Sequence, residues 1–495
     1  MRIGFDNEKY QKIQSEHIKE RISQFDGKLY LELGGKLFDD HHASRVLPGF
    51  MPDSKLRMFQ KISDSIEIVI VISATDIEKN KKRADLGITY DEDVLRLRGE
   101  FQNRGFMVGS VVITHYNGQP AASAFRQRLE RDGIKTYCHY LIEGYPHNVS
   151  LIASDEGFGK NDYVETERPL VIVTAPGPGS GKMAVCLSQL YNENKRGVRA
   201  GYAKFETFPV WNLPLKHPVN IAYEAATADL NDVNMIDPFH LEAYGKIAIN
   251  YNRDIEIYPV LNALFEGIYG SNPYKSPTDM GVNMVGFCIS DDEACCEASK
   301  NEIVRRYYDA TNKMARGACN EEEISKIQML FNQAKINTDF RRTTVAAKNY
   351  KKETGHTSSA IEMEDGTIIT AKSSELLGCS AALILNVTKY LAGIDHNVKL
   401  IPQSMIEPIQ HTKISYLGGR NPRLHTDEVL VALSVLSEND ENCRNALEQL
   451  PKLRGCQVHS TVMLSDVDQK IFKKLGVNLT CEPVLKSVGD RKNGI

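Results

Sequence analysis

Residues 66–73 read IEIVIVIS, an almost unbroken apolar run. A strand with one face in water alternates apolar and polar residues. This one does not, so it is predicted to be buried on both faces, as in a parallel sheet covered by helices. Comparable β-rich runs recur at 28–33 (KLYLEL), 109–114 (GSVVIT), 135–140 (KTYCHY), 170–174 (LVIVT) and 201–205 (GYAKF). Helical patterns at 54–63, 91–104, 120–131 and 181–193 separate them, which is the alternation of an α/β domain.

The texture changes near residue 216. HPVNIAYEAATADL, GKIAINYNRDIEIYPVLNALFEGIYG and helical patterns at 291–316, 321–334 and 343–352 make a mostly helical middle, interrupted after residue 270 by the turn-rich SNPYKSPTDMG. After residue 350 strands return at DGTIITA, 457–464 and 477–483, with helices predicted at 373–391, 427–437, 441–449 and 466–474. The expected fold class is a multi-domain α/β chain of three parts, because 495 residues exceed what one core holds. Residues 1–215 form a parallel-sheet α/β domain with a P-loop-like turn, 216–350 a mostly helical domain, and 351–495 a smaller C-terminal α/β (α+β) domain.

The formal net charge is −4 and no basic stripe is present, so nucleic acid is not an expected partner. The N-terminal MRIGFDNEKYQKIQSEH turns polar at once, and Lys389 breaks the longest apolar candidate, so neither a secretion signal nor a membrane span is expected. Ten cysteines show no CxxC pair, and Cys295-Cys296 read as ordinary thiols on a helix. Free thiols in a chain without a signal point to the cytoplasm.

The chemistry begins at VIVTAPGPGSGKMAV, residues 171–185: strand, glycine loop, helix. A helix N-terminus offers unpaired N–H groups and partial positive charge, and glycines let the backbone close on phosphate oxygens. Gly177, Gly179, Ser180 and Gly181 are the expected amide cradle, with Lys182 reaching the outer phosphates. Against G-x-x-x-x-G-K-[ST] the loop departs twice. Pro176 replaces the first Gly, and Met183 replaces the hydroxyl that normally ligates Mg²⁺, a hard cation for which a thioether is a poor ligand. Mg²⁺ is therefore the candidate cofactor and its binding the doubtful part. The plainer reading is a tight turn with Lys182 solvated. Acidic residues after apolar runs, Asp76, Asp237, Asp291 and Asp292, are candidate metal ligands that read equally well as helix caps.

Residues 33–53, LGGKLFDDHHASRVLPGFMPD, leave little room for regular structure and follow the first strand at the edge where α/β sheets bind ligands. Lys36 and Arg45 are candidate anion ligands there, and Asp39, Asp40, His41 and His42 are candidate acid–base or catalytic groups. No HxH or HxxxH spacing supports zinc. Near the C-terminus, YLGGRNPRLHTDE offers Arg420 and Arg423 in a glycine turn as a phosphate clamp, with a solvated loop the equal alternative. The hydroxyls of GHTSSAIE read as local turns, and Ser373-Ser374 as the cap of the helix that follows.

The segments GGKLFDDHHASRVLPGF and PDSK, TAPGPGSGK, GHTSSAIE and YLGGRNPRLHTDE make the chain resemble, over essentially its whole length, a family of bacterial cytoplasmic proteins catalogued only as a domain of unknown function. The resemblance implies a multi-domain α/β protein and no substrate. The residues themselves lead to an enzyme binding a phosphorylated small molecule or nucleotide, phosphotransferase-like. The alternatives are a phosphate-binding enzyme of another class, such as a hydrolase, and a non-catalytic phospholigand-binding or assembly protein. The expected partner is a small phosphorylated ligand, with a homo-oligomer the other association left open.

Overall fold

The computed structural model describes residues 2–34, 37, 38, 40–83 and 86–484. They pack as two compact units, one of residues 3–223 with 232–295, the other of residues 224–231 with 296 onward. The first unit carries α1 (Asn7–Ser23), β1 (Leu29–Leu33), α2 (His41–Val46), α3 (Ser54–Gln60), β2 (Ile66–Ser73), α4 (Ala74–Glu78), α5 (Tyr90–Asn103), β3 (Met107–Tyr116) and α6 (Pro120–Arg131). β4 (Thr136–Tyr140), α7 (Val149–Ile152), β5 (Leu170–Thr174), α8 (Lys182–Lys195) and β6 (Gly201–Phe205) follow. After α9 (Pro218–Ala226) come β7 (Asn234–Ile236), α10 (Pro238–Tyr244), β8 (Ile249–Tyr251), α11 (Asn252–Tyr269), α12 (Pro277–Met280) and β9 (Gly281–Val282).

Seven strands form one parallel sheet in the order β4-β3-β2-β5-β1-β6-β9. All eight residues of β2 are buried, as the apolar run required. Its one acid, Glu67, is satisfied by the N–H groups of Glu167 at 2.7 Å and Arg168 at 3.3 Å. Alternate residues feed two cores. Leu29, Leu31, Ile68, Ile70, Ile172 and Ala203 meet α1, α3, α5 and α6 on one face. Tyr30, Val69, Val71, Val171, Val173 and Tyr202 meet α8 and α11 on the other. Each fully buried aliphatic side chain contributes on the order of 2 kcal/mol. Topology now fixes the ligand edge. The chain leaves β1 and β2 toward the first face, but leaves β5, which lies between them, toward the second. Divergent connections from adjacent parallel strands open a crevice at their carboxyl ends.

α13 (Asp292–Ala315) is next, and the second unit continues with α14 (Glu321–Ala334), α15 (Arg342–Thr354), β10 (Ser358–Glu362), β11 (Ile368–Lys372), α16 (Cys379–Leu391), α17 (Gln403–His411), α18 (Thr426–Leu436), α19 (Glu441–Leu447), β12 (Gln457–Ser460), α20 (Asp466–Lys474) and β13 (Asn478–Cys481). Its sheet is mixed, in the order β11-β10-β12-β13, with β12 and β13 parallel and the other pairs antiparallel.

Three local expectations are corrected. Residues 33–53 do hold regular structure, because Asp40 caps α2 by accepting the Ala43 N–H at 3.1 Å. Within GHTSSAIE, Ser358–Glu362 form strand β10 rather than a turn, and Ser358 Oγ donates to the Ala347 carbonyl at 2.7 Å. The helix expected from residue 373 begins at Cys379, since β11 runs to Lys372 and Ser374 Oγ instead caps a turn through the Leu376 and Leu377 N–H groups.

Candidate functional site

The glycine loop joins β5 to α8 in the crevice between β1 and β2. Its turn needs glycine at two positions where φ is positive, Gly179 at +74° and Gly181 at +88°, the latter capping α8. Gly177 is required for a different reason. A Cβ there would lie 2.3 Å from Tyr90 Oη, so the first residue of α5 packs directly on the loop backbone. Among the described residues no acceptor pairs with the N–H groups of Gly177, Gly179, Ser180, Gly181, Lys182 or Met183. Lys182 Nζ makes no ion pair with them either, and the 98 % buried Ser180 leaves its Oγ without a hydrogen bond. Unpaired donors at the positive end of a 14-residue helix are what an anion requires. Met183, by contrast, packs against the α8–α11 core.

One side of the loop is built by the ends of β2 and β3. Thr114 Oγ1 donates to the Ser180 carbonyl at 2.6 Å and pins the turn. The next residue, His115, is in the left-handed region at φ +51°, a conformation that side chains tolerate poorly and that concentrates at functional sites. Its Nδ1 lies 3.2 Å from Ser73 Oγ at the end of β2, which fixes the ring half-exposed at the crevice. Asp76, in α4, pairs with Lys81 at 3.1 Å, and Lys81 lies over the ring of Tyr90. His115, Ser73 and Thr114 carry no sequence motif. Their only signal is polar residues closing apolar strands.

The other side is a buried charged cluster on β1, β6 and α11. Glu32 accepts from Tyr202 Oη at 2.7 Å. Lys204 Nζ lies 2.8 Å from Glu206, 2.5 Å from Asp254 and 2.7 Å from Tyr251 Oη. Burial opposes the Lys204 charge, but Asp254, Glu206 and Glu32 hold it well above the ordinary lysine range. Burial, reinforced by Asp254 against the attraction of Lys204, pushes the Glu206 carboxyl up to about 7.

The remaining candidates fall in several places. Lys36 and Asp39 lie outside the described residues. Asp40 is 2.8 Å from the nearly inaccessible Lys55 Nζ. Burial alone would raise its carboxyl, but Lys55 and the Ala43 N–H outweigh that and hold it below the usual carboxylate range. Its charge is committed to structure. His41 is exposed at the start of α2, His42 packs against Phe208 and Tyr223, and Arg45 is half-buried in the last turn. Asp237 caps α10, accepting the Phe239 and His240 N–H groups at 3.0 Å. Arg420 is exposed and Arg423 half-buried in the loop before α18 of the second unit. None of the ten cysteines is in a disulfide, and no helix among the described residues is long and apolar enough to cross a membrane.

Comparison with known proteins is uniform. The chain is 58% identical to a UPF0371 protein of Corynebacterium urealyticum over 482 residues, 97% of each chain. It is 55% identical to a UPF0371 protein of Streptococcus thermophilus over 480 residues, again 97% of each, and 54% identical to one of Streptococcus pyogenes over 482 residues, 97% of this chain and 98% of that one. Residues 3–335 match the N-terminal domain of unknown function DUF1846 and residues 339–488 its C-terminal domain, so the chain belongs to the DUF1846 (UPF0371) family.

Proposed function

We propose that this protein is a cytoplasmic enzyme acting on a phosphorylated small molecule, with the phosphate seated on the glycine loop. The observation that carries the reading is the set of donors without an acceptor among the described residues, the amides of Gly177, Gly179, Ser180, Gly181 and Lys182 together with Lys182 Nζ, in the crevice between β1 and β2. Lys182 supplies charge, and Gly179 and Gly181 let the backbone approach phosphate oxygens. His115, oriented by Ser73, is the acid–base group at the end of β3, two strands from β5. Met183 packs into the core at the position where a metal-binding hydroxyl would stand, which favours a phosphomonoester over a magnesium-bound triphosphate. A phosphate-ester hydrolase fits these groups better than a nucleotide-dependent phosphotransferase. That none of the ten cysteines is in a disulfide accords with a reducing compartment.

The test is thermal shift followed by calorimetric titration with orthophosphate, sugar phosphates and nucleotides, with and without Mg²⁺. A ligand at a hundred times its Kd stabilises the native state by about 2.7 kcal/mol. At least one phosphomonoester is expected to raise the melting temperature, and Lys182→Ala to weaken its binding at least tenfold. His115→Ala is expected to retain binding and lose turnover. If no phosphate compound shifts the melting curve, or Lys182→Ala binds as well as the native protein, the reading fails. Turnover unchanged in His115→Ala would leave the phosphate site standing and remove His115 from the chemistry.

A further inference from the structure

The glycine-loop reading leaves untouched a second polar concavity in the first unit. Helices α3 and α5, both packed on the first face of the sheet, are separated by a groove of about 670 Å³, within the range of small-ligand sites. Its walls carry three guanidinium groups, Arg57 from α3, Arg96 from α5 and Arg104 just beyond the end of α5, together with the amide of Gln60. Each arginine is held by a single side of its guanidinium. Arg57 Nε is 2.7 Å from Asp53, Arg96 Nε is 2.6 Å from Asp93, and Arg104 Nη1 bonds the carbonyl and carboxylate of Glu100 while its guanidinium lies over the ring of Phe38. Asp93 is fully buried and also bonded to Arg83, so it orients Arg96 without reaching the groove as an acceptor. The other nitrogens of Arg57, Arg96 and Arg104 have no acceptor among the described residues. The groove thus presents three pre-oriented cations against two carboxylates, Asp53 and Glu100, each already engaged by an arginine.

We propose that this groove is a separate anion site that takes a small molecule carrying two adjacent phosphate groups. A guanidinium edge bonds a phosphate bidentately, which a lysine cannot do. Three such edges around one cavity exceed the need of a single phosphate and suit a diphosphate, while the scarcity of apolar wall, Phe38 and Leu56 apart, argues against a hydrophobic ligand. The partly exposed pairs Arg57–Asp53 and Arg104–Glu100 are worth little beside water, so a multiply charged ligand displaces them readily.

The experiment titrates inorganic pyrophosphate and orthophosphate calorimetrically into the full-length Lys182→Ala protein, in which the glycine loop is weakened. Pyrophosphate is expected to bind at least tenfold more tightly than orthophosphate. Adding Arg57→Ala and Arg104→Ala is expected to weaken pyrophosphate at least tenfold while circular dichroism and the melting temperature stay near those of the parent. The paired variant Arg57→Lys and Arg104→Lys, which keeps charge and packing, is expected to fall between the two. Absence of pyrophosphate binding to Lys182→Ala, equal affinity for the two anions, or binding indifferent to the arginine substitutions would each overturn the proposal. None of these outcomes bears on the glycine loop, whose own test compares Lys182→Ala with the native chain.

Discussion

Glu206 directly follows β6, where a mostly buried lysine meets two carboxylates, and its chemistry can be followed at a single residue. Burial pushes its carboxyl up to about 7, whereas in the unfolded chain it titrates as an ordinary glutamate. A carboxyl whose folded value is raised binds its proton more tightly when folded. Its contribution to stability is therefore complete below the unfolded value, near pH 4, and declines as pH rises to 7. The only tryptophan, Trp211, lines the same small cavity as Glu206 and reports on it. A fluorescence titration is expected to show a transition centred near pH 7 that disappears in Glu206→Gln, with denaturant stability of that variant flat from pH 5 to 7.5. A transition that survives the substitution would assign the proton elsewhere. This cluster was illegible in the sequence, because Lys204, Glu206 and Asp254 are ordinary surface-type residues until the strand order buries them together. Asp40 shows the reverse case. It looked catalytic beside two histidines, yet its charge belongs to Lys55, fifteen positions away.

Elements were easier to read than sites, since an apolar period is written locally. The runs at 66–73, 170–174 and 201–205 are strands β2, β5 and β6 to the residue, and 120–131 is α6. Helix α1 escaped notice, because its buried stripe, Tyr10, Gln11, Gln14 and Ile18, is half polar. The glycine loop was legible as a strand-to-helix turn, but the reason for Gly177 was not, because the residue it accommodates, Tyr90, begins a different helix. That packing makes a definite expectation. Gly177 lacks the positive φ of Gly179 and Gly181, so its substitution is penalised by contact alone. Gly177→Ala should destabilise the first unit by about 1–3 kcal/mol, the usual cost of overpacking. Adding Tyr90→Ala should remove most of that penalty, whereas no second-site change at Tyr90 should relieve Gly179→Ala or Gly181→Ala. Melting curves of the three glycine variants, each with and without Tyr90→Ala, decide it. A Gly177→Ala protein as stable as the native one would refute the packing of α5 on the loop.

At the scale of the whole molecule, what sequence reasoning could not supply was strand order. The crevice exists only because β5 inserts between β1 and β2, and no local period encodes that insertion. The same holds in the second unit, where the residue that joins two elements lies about forty positions from its partners at the start of α18. Asp468, almost fully buried in α20, accepts from the Thr426 N–H at 2.9 Å and Thr426 Oγ1 at 2.7 Å, from Ser465 Oγ at 2.7 Å, and faces His425 Nδ1 at 3.0 Å. His425 and Ser465 precede α18 and α20, so one carboxylate ties together the starts of both helices. Burial would raise that carboxyl, but His425, Ser465 and Thr426 together hold it well below the usual range. Its contribution is therefore present at neutral pH and lost as acid protonates it. Asp468→Ala strands several buried donors at once and should cost about 3 kcal/mol. In a unit of this size that is a fall of roughly 6–12 °C in melting temperature. Asp468→Asn keeps the shape and one acceptor oxygen and should lose less. Calorimetry gives the shift, and hydrogen exchange shows whether β13, against which α20 packs, and its neighbour β12 open faster as the tie is removed. Unchanged protection of the amides of residues 457–460 and 478–481 in Asp468→Ala would mean that the sheet does not depend on this carboxylate.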